Sequence, residues 1–272
     1  MSKVACHFFQ HVLLLAAALS AFAGTVAGAE IKVLNSGGFT AAYNALLPEF
    51  EKTSHYKVVT SFGASMGNAP DAIPKRLERG EKADVVILAL PALEKLIDAG
   101  KVIASSRVDL GRSGIGMVVR VGAPVPDIGS VESLRRTLLD AKSIAFSDSA
   151  SGHYLVTELF PELGIAKEVD SKCRRVEGEM VGAVVARGGA EIGFQQISEL
   201  LPVKGVVFAG ALPAQVQRET IFSAGVVVGA AEPDGAQELI KFLSSSHASD
   251  AIKKSGLELV ATTAQKMKKS RD

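Results

Sequence analysis

Three short apolar segments each run into a loop rich in serine and glycine that then opens a helix. Ile31-Lys32-Val33-Leu34 leads into Asn35-Ser36-Gly37-Gly38-Phe39-Thr40, and Val58-Val59-Thr60-Ser61-Phe62 into Gly63-Ala64-Ser65-Met66-Gly67-Asn68. Ser143-Ile144-Ala145-Phe146 leads into Ser147-Asp148-Ser149-Ala150-Ser151-Gly152. Each junction sets backbone N–H groups and hydroxyls at the positive end of a helix, which is where an anion is held. A buried dianion needs its lost hydration shell replaced by donors, and several neutral ones suffice when they converge. Glycine lets the backbone approach such a ligand closely. Taken singly, each loop also reads as an ordinary helix cap or turn; together they nominate Ser36, Gly38, Thr40, Ser65, Ser149, Ser151 and Gly152 as an anion site.

Residues able to move protons are scarcer. Proton abstraction needs a positioned base of near-neutral pKa, and the loops offer only His153, Glu179 or Asp148. Arg112 could supply a cation to a carboxylate but reads more simply as a surface arginine. Three histidines, His55, His153 and His247, and the single Cys173 remain once residues 1–29 are set aside. They form no ligand cluster, so neither a metal nor a cofactor is expected, and no intramolecular disulfide can form.

The elements that must carry these loops follow a leader. Lys3, the apolar run Val12–Leu19 and the small residues Ala27-Gly28-Ala29 read as a cleavable export signal, residues 1–29, with Ala21-Phe22-Ala23 an earlier possible cut. The run is too short for a comfortable membrane span, which needs about 20 residues. The whole chain has a formal charge of +1, and removal of residues 1–29 takes Lys3 and no acid, leaving a neutral protein. Neutrality argues against a nucleic-acid groove or a charged membrane surface as partner. The basic end Lys266–Arg271 reads as a solvated tail. Apolar, β-branched runs at 83–88, 115–121, 144–146, 190–194 and 206–208 alternate with helical periodicity, as at Leu93–Gly100 and Gln237–Leu243 after Pro233. That alternation predicts an α/β protein with mixed sheets flanked by helices. Two longer strands, Gly116–Val121 and Ile221–Val228, suit connections between two lobes. The expected division is lobe 1 at 30–120 plus 217–272 and lobe 2 at 121–216, joined by two hinge strands.

Between about Ile31 and Val260 the chain resembles the extracytoplasmic solute-binding proteins of ABC importers with the type 2 periplasmic-binding fold, within them the molybdate-binding group. The resemblance rests on the order and spacing of Val33–Thr40, Ser61–Ser65, Gly80–Ile87, Gly114–Val119, Phe146-Ser147-Asp148, Val181–Val185 and Ala190–Phe194. It adds Met180, where the family makes a backbone contact, and Gln195 or Gln196, where it carries a ligand-binding tyrosine. Gly38 stands where the family has a serine, and Ala150-Ser151-Gly152-His153 replaces a Pro-Ala-Gly turn. These departures widen the expected ligand from a molybdate-like oxyanion to a small organic carboxylate. The resemblance implies a monomeric periplasmic carrier that closes over a small anion, presents it to ABC permease subunits and does no chemistry. The alternative is an isomerase of small carboxylates such as aconitate, built on the same cleft. A transcription-regulator effector domain shares the fold, but the leader and the missing DNA-binding segment exclude it.

Overall fold

The computed structural model describes residues 28–260. Nearly all of the expected leader, and the basic tail, lie outside the described residues. The first part of the chain runs β1 (Glu30–Asn35), α1 (Gly37–Thr53), β2 (Lys57–Phe62), α2 (Ile73–Glu78), β3 (Val85–Ala89), α3 (Leu90–Asp98) and β4 (Val108–Ser113). Next come β5 (Ile115–Arg120), α4 (Val131–Asp140), β6 (Ile144–Ser147), α5 (Ala150–Tyr154), α6 (Ala166–Asp170) and β7 (Cys173–Val176). The chain continues through α7 (Val181–Ala186), β8 (Ile192–Gln196), α8 (Ile197–Leu200) and β9 (Val206–Ala211). β10 (Thr220–Val226), α9 (Pro233–Leu243) and α10 (Ser249–Lys254) close it.

The strands form two five-stranded sheets, ordered β2-β1-β3-β10-β4 and β7-β6-β8-β5-β9. In each, three parallel strands are joined by an antiparallel pair. β1 is parallel to β2 and β3, with β10 antiparallel to β3 and β4; β6 is parallel to β7 and β8, with β5 antiparallel to β8 and β9. Parallel strands covered on both faces must be apolar throughout, and β3, Val-Val-Ile-Leu-Ala, is buried at every position. Each sheet accordingly has a core on both faces. Phe39, Tyr43 and Phe50 of α1 pack on one face of the first sheet with Leu239 and Leu243 of α9, and Leu93 and Leu96 of α3 pack on the other. In the second sheet Leu134 and Leu138 of α4 cover one face, and Val181, Val184 and Val185 of α7 the other.

The chain passes between the sheets twice, and the crossings differ from the expected lobe boundaries. The strand expected to end lobe 1 at residue 120 belongs to the second sheet, because β5 hydrogen-bonds to β8 and β9 along its length. Gly114 alone separates β4 from β5, so the first crossing lies there. The second occupies residues 212–219, with the expected boundary at 216/217 inside it. Gln217 ties the two crossings together. Its Oε1 accepts from the Ile115 N–H at 2.7 Å, and its Nε2 donates to the Ile115 carbonyl at 2.9 Å. Replacing it strands the N–H of a fully buried residue, whose carbonyl keeps the Leu212 N–H at 3.0 Å. Gln217→Ala is therefore expected to lower stability by about 1–3 kcal/mol, read as a reduced urea midpoint; an unchanged midpoint would show that water takes over the N–H.

Candidate functional site

In both sheets the parallel strands end toward the same space, as strand ends do around ligands in open α/β sheets. β1 delivers Ser36, β2 Phe62, β6 Ser147, β7 Val176, and β8 Gln195 and Gln196 to a cleft of about 310 Å³. Of the nominated residues Ser36, Gly38, Thr40, Ser65, Ser149, Ser151, Met180, Gln195 and Gln196 all line it, whereas Gly152 does not. A Cβ on Gly152 would run into the Ser147 carbonyl, so that glycine permits the tight strand-to-helix turn.

The reading of these serines as helix caps fails. Ser36 and Ser149 precede α1 and α5, yet neither side chain makes a capping hydrogen bond. Ser36 is 2 % exposed and its Oγ has no partner, as is true of Asn35 Oδ1 beside it. A buried hydroxyl without a partner costs free energy that a ligand would recover. It sits at the start of a 17-residue helix, whose first-turn N–H groups have no intrahelical acceptor. Ser65 Oγ accepts from the Ala89 N–H at 2.8 Å and still has its proton to donate. Ser147 and Ser151 share a bond of 3.0 Å on the opposite wall. Thr40, by contrast, donates its hydroxyl to the Ser36 carbonyl at 3.1 Å.

The glutamines do other work than the resemblance implied. In the orientation that satisfies both of its polar ends, Gln196 donates to the Ser113 and Gly114 carbonyls at 2.8 and 3.2 Å and accepts from Thr220 Oγ1 at 2.8 Å. It fastens the crossing from the cleft wall. Gln195 Oε1 accepts from the Val181 N–H at 2.9 Å, and its Nε2 donates to Glu199 Oε1 at 2.8 Å. Gly38 is set by packing as well: a Cβ there would run into the buried Phe222 ring, and its carbonyl accepts from Ser198 Oγ at 2.7 Å.

The cleft contains one titratable group of unusual character, and sequence reasoning missed it. Glu199 of α8 lines the cleft floor, with its carboxyl directly over Gly37, where any Cβ would displace it. Only glycine allows the approach. The residue is half-buried and lines the cleft, and burial pushes its pKa up to about 7, with the Gln195 hydrogen bond pulling the other way. The three bases considered from the sequence do not qualify. His153 is exposed and absent from the cleft wall. Glu179 is held by Arg187 through two bonds of 2.6 Å, which lowers its pKa. Asp148 lies 3.4 Å from Arg175. Arg112 pairs with Glu219 and Glu258 on the surface, as a surface arginine does. Asp71, Asp148, Glu177, Glu179 and Glu199 line the cleft; no lysine or arginine does. Among the described residues no cluster of metal ligands exists.

The family model described as "Bacterial extracellular solute-binding protein" matches residues 31–258. An aconitate isomerase of Pseudomonas sp is 45% identical over 230 residues, covering 85% of this chain and 88% of that protein. A molybdate-binding protein of Azotobacter vinelandii is 28% identical over 258 residues, covering 91% and 96% of the two. The structure of the Azotobacter vinelandii periplasmic molybdate-binding protein superposes with a TM-score of 0.69 at 20% identity, over 85% of this chain and 99% of the other. It shows the same two-lobed fold.

Two outcomes follow from the packing and the buried acid. Gly38→Ser is expected to lower stability by about 1–3 kcal/mol through overpacking against Phe222, with Phe222→Leu in the same chain restoring most of it; loss without rescue would place the conflict elsewhere. The second concerns pH. A folded pKa near 7 against an ordinary 4.5 means the native state holds this proton more tightly than the unfolded chain. Its cost is absent below about pH 4.5, grows as pH rises, and is complete above 7. Glu199→Gln should thus gain on the order of 2–3 kcal/mol at pH 8 and nothing at pH 4, measured by urea unfolding at both.

Proposed function

The chain belongs to the bacterial extracellular solute-binding proteins, and on that premise we propose that it binds a small polycarboxylate such as aconitate in the cleft and isomerises it by proton transfer. The carrying observation is Glu199, a carboxyl of near-neutral pKa on the floor of a cleft built from neutral donors. Its near-neutral pKa suits a general base at physiological pH. The 45% identity to an aconitate isomerase supports the same reading.

The reaction needs little machinery. Aconitate has a methylene carbon next to a carbon–carbon double bond, with a carboxylate at each end. Ionised Glu199 takes a methylene proton, and the electron pair left behind spreads over the three-carbon allylic unit and the adjoining carboxylates. The protonated carboxyl, exchanging with solvent through the open cleft, then delivers a proton to the far carbon of that unit. The double bond shifts by one position, giving the other geometric isomer with no oxidant, reductant or leaving group. Ser36, Ser65, the first-turn N–H groups of α1 and the Ser147–Ser151 pair would hold the carboxylates and the developing charge. The hinge would lie at Gly114 and residues 212–219, with lobe 1 comprising the strands β1–β4 and β10, and lobe 2 the strands β5–β9. The location proposed is the periplasm.

A second reading stays in view because the family and fold are those of binding proteins. There the protein would carry the anion to ABC permease subunits unchanged. One experiment separates the two. In deuterated buffer, trans-aconitate is expected to yield a mixture of isomers with deuterium at carbon, followed by NMR. Activity should rise with pH through about 7, and Glu199→Gln should lower it by about 10²–10⁴-fold while calorimetry still detects binding. Aconitate that binds yet is recovered unchanged and free of deuterium would leave the carrier.

A further inference from the structure

Gln195 stands between two groups that leave it no freedom. The Val181 N–H, at the start of α7, can only donate, so the Gln195 atom 2.9 Å from it must be the carbonyl oxygen. The amide nitrogen is then obliged to face Glu199 Oε1, at 2.8 Å. An NH₂ group donates and never accepts. Oε1 of Glu199 is therefore an acceptor whether the carboxyl is ionised or neutral, and the proton, when present, belongs on Oε2.

We infer that Gln195 is a positioning residue that divides the labour of the Glu199 carboxyl, fixing Oε1 as a permanent acceptor and leaving Oε2 as the oxygen that takes the substrate proton and delivers one back. The inference deepens the reading of Glu199 as the base. Three further observations bear on it. Gln195 is 4 % exposed, so water does not compete for its amide. Gly37 closes the carboxyl from the other lobe and limits its rotation. The backbone of Val181, on one rigid element, sets the amide that sets the acid on the next. A tyrosine hydroxyl at this place could donate or accept, and would not enforce the assignment.

Charges around the carboxyl do not obscure the effect. The nearest turn of α1 contributes Gly37 and Gly38, with Glu49, Glu51 and Lys52 at its far end. α7 contains no charged residue, and Arg120 ends β5 on the side of Gly188, away from the cleft. Asp71, Asp148, Glu177 and Glu179 face the cleft from its other walls, Asp148 and Glu179 already paired with arginines.

The test reads Glu199 directly. Carboxyl ¹³C-NMR of the full protein, with the Glu199 resonance identified by its loss in Glu199→Gln, is recorded from pH 4 to 10 without substrate. Gln195→Met keeps the length and removes the donor; Gln195→Glu keeps an acceptor for Val181 and nearly the same shape. Both are expected to raise the Glu199 midpoint, by about tenfold in proton affinity for Met and further for Glu, where two carboxyls must share one proton. With aconitate, the acid limb of kcat/KM should move by the same amount. At pH 9.5 kcat of the Met variant should stay about tenfold or more below wild type, with KM little changed, because orientation is lost even when the base is ionised. A Glu199 midpoint unmoved in both variants would overturn the inference, as would full recovery of kcat at high pH. Absence of turnover in the wild-type protein would instead count against the isomerase reading, and the titration would still decide the role of Gln195.

Discussion

Two strand crossings join the two sheets of this protein, and everything in the cleft depends on how tightly they are fastened. Gly114 gives the first crossing no slack, since β4 passes into β5 across one residue. Gln217 binds the backbone of Ile115 from the second crossing, and Gln196 binds the carbonyls on the other side of Gly114. Ser198 extends the connection to Gly38, at the head of α1. The Gln196 and Ser198 bonds run from the second sheet's side to the first beside Glu199. Gln196, Ser198 and the acid share one short stretch, β8 into α8, so part of the fastening and Glu199 are placed by the same residues.

The same floor explains an electrostatic arrangement that otherwise looks unfavourable to an anion. Acids and no basic residue line the cleft. In a dry site an uncompensated carboxylate is costly, and a group responds by holding its proton. Glu199 does so, since burial raises its pKa, while Arg187 lowers the pKa of Glu179 and Arg175 pairs with Asp148. Positive potential comes from the head of α1 and from the unpartnered Ser36 hydroxyl. Neutral donors of this kind can serve several carboxylates in turn as a substrate reorganises, where an arginine would fix one of them in a bidentate grip.

Much of the fold was legible because the strands are apolar runs punctuated by glycine and proline, and their order constrains the topology. The cleft-lining loops were legible for the same reason: Ser36, Ser65 and Ser151 lie where strands end, and strand ends meet at the cleft. The boundary near residue 120 was misplaced because a hinge strand and a sheet strand share one apolar pattern; pairing partners decide, and those are nonlocal. Glu199 was passed over for a related reason. An acid on a short helix after a strand ordinarily faces water, and the sequence shows neither the Gly37 backbone closing on it nor Gln195 donating to it. His153, chemically the better base on paper, was placed by its own helix on the outside. Residue type nominates chemistry, but local geometry assigns it.

A binding protein and an isomerase of small carboxylates need nearly the same cleft. Both must strip water from a polyanion and supply fixed donors in its place, and this accounts for most of what an allylic proton shift requires. The remaining requirement is a base that is dry enough to be strong, near enough to neutral pKa to be present in both forms, and oriented. In the proposed isomerase, a glycine that lets a carboxyl reach the floor and a glutamine that orients it would meet that requirement. Under that proposal the step from capture to catalysis would be a matter of three positions, Gly37, Gln195 and Glu199, set among loops whose binding role need not change.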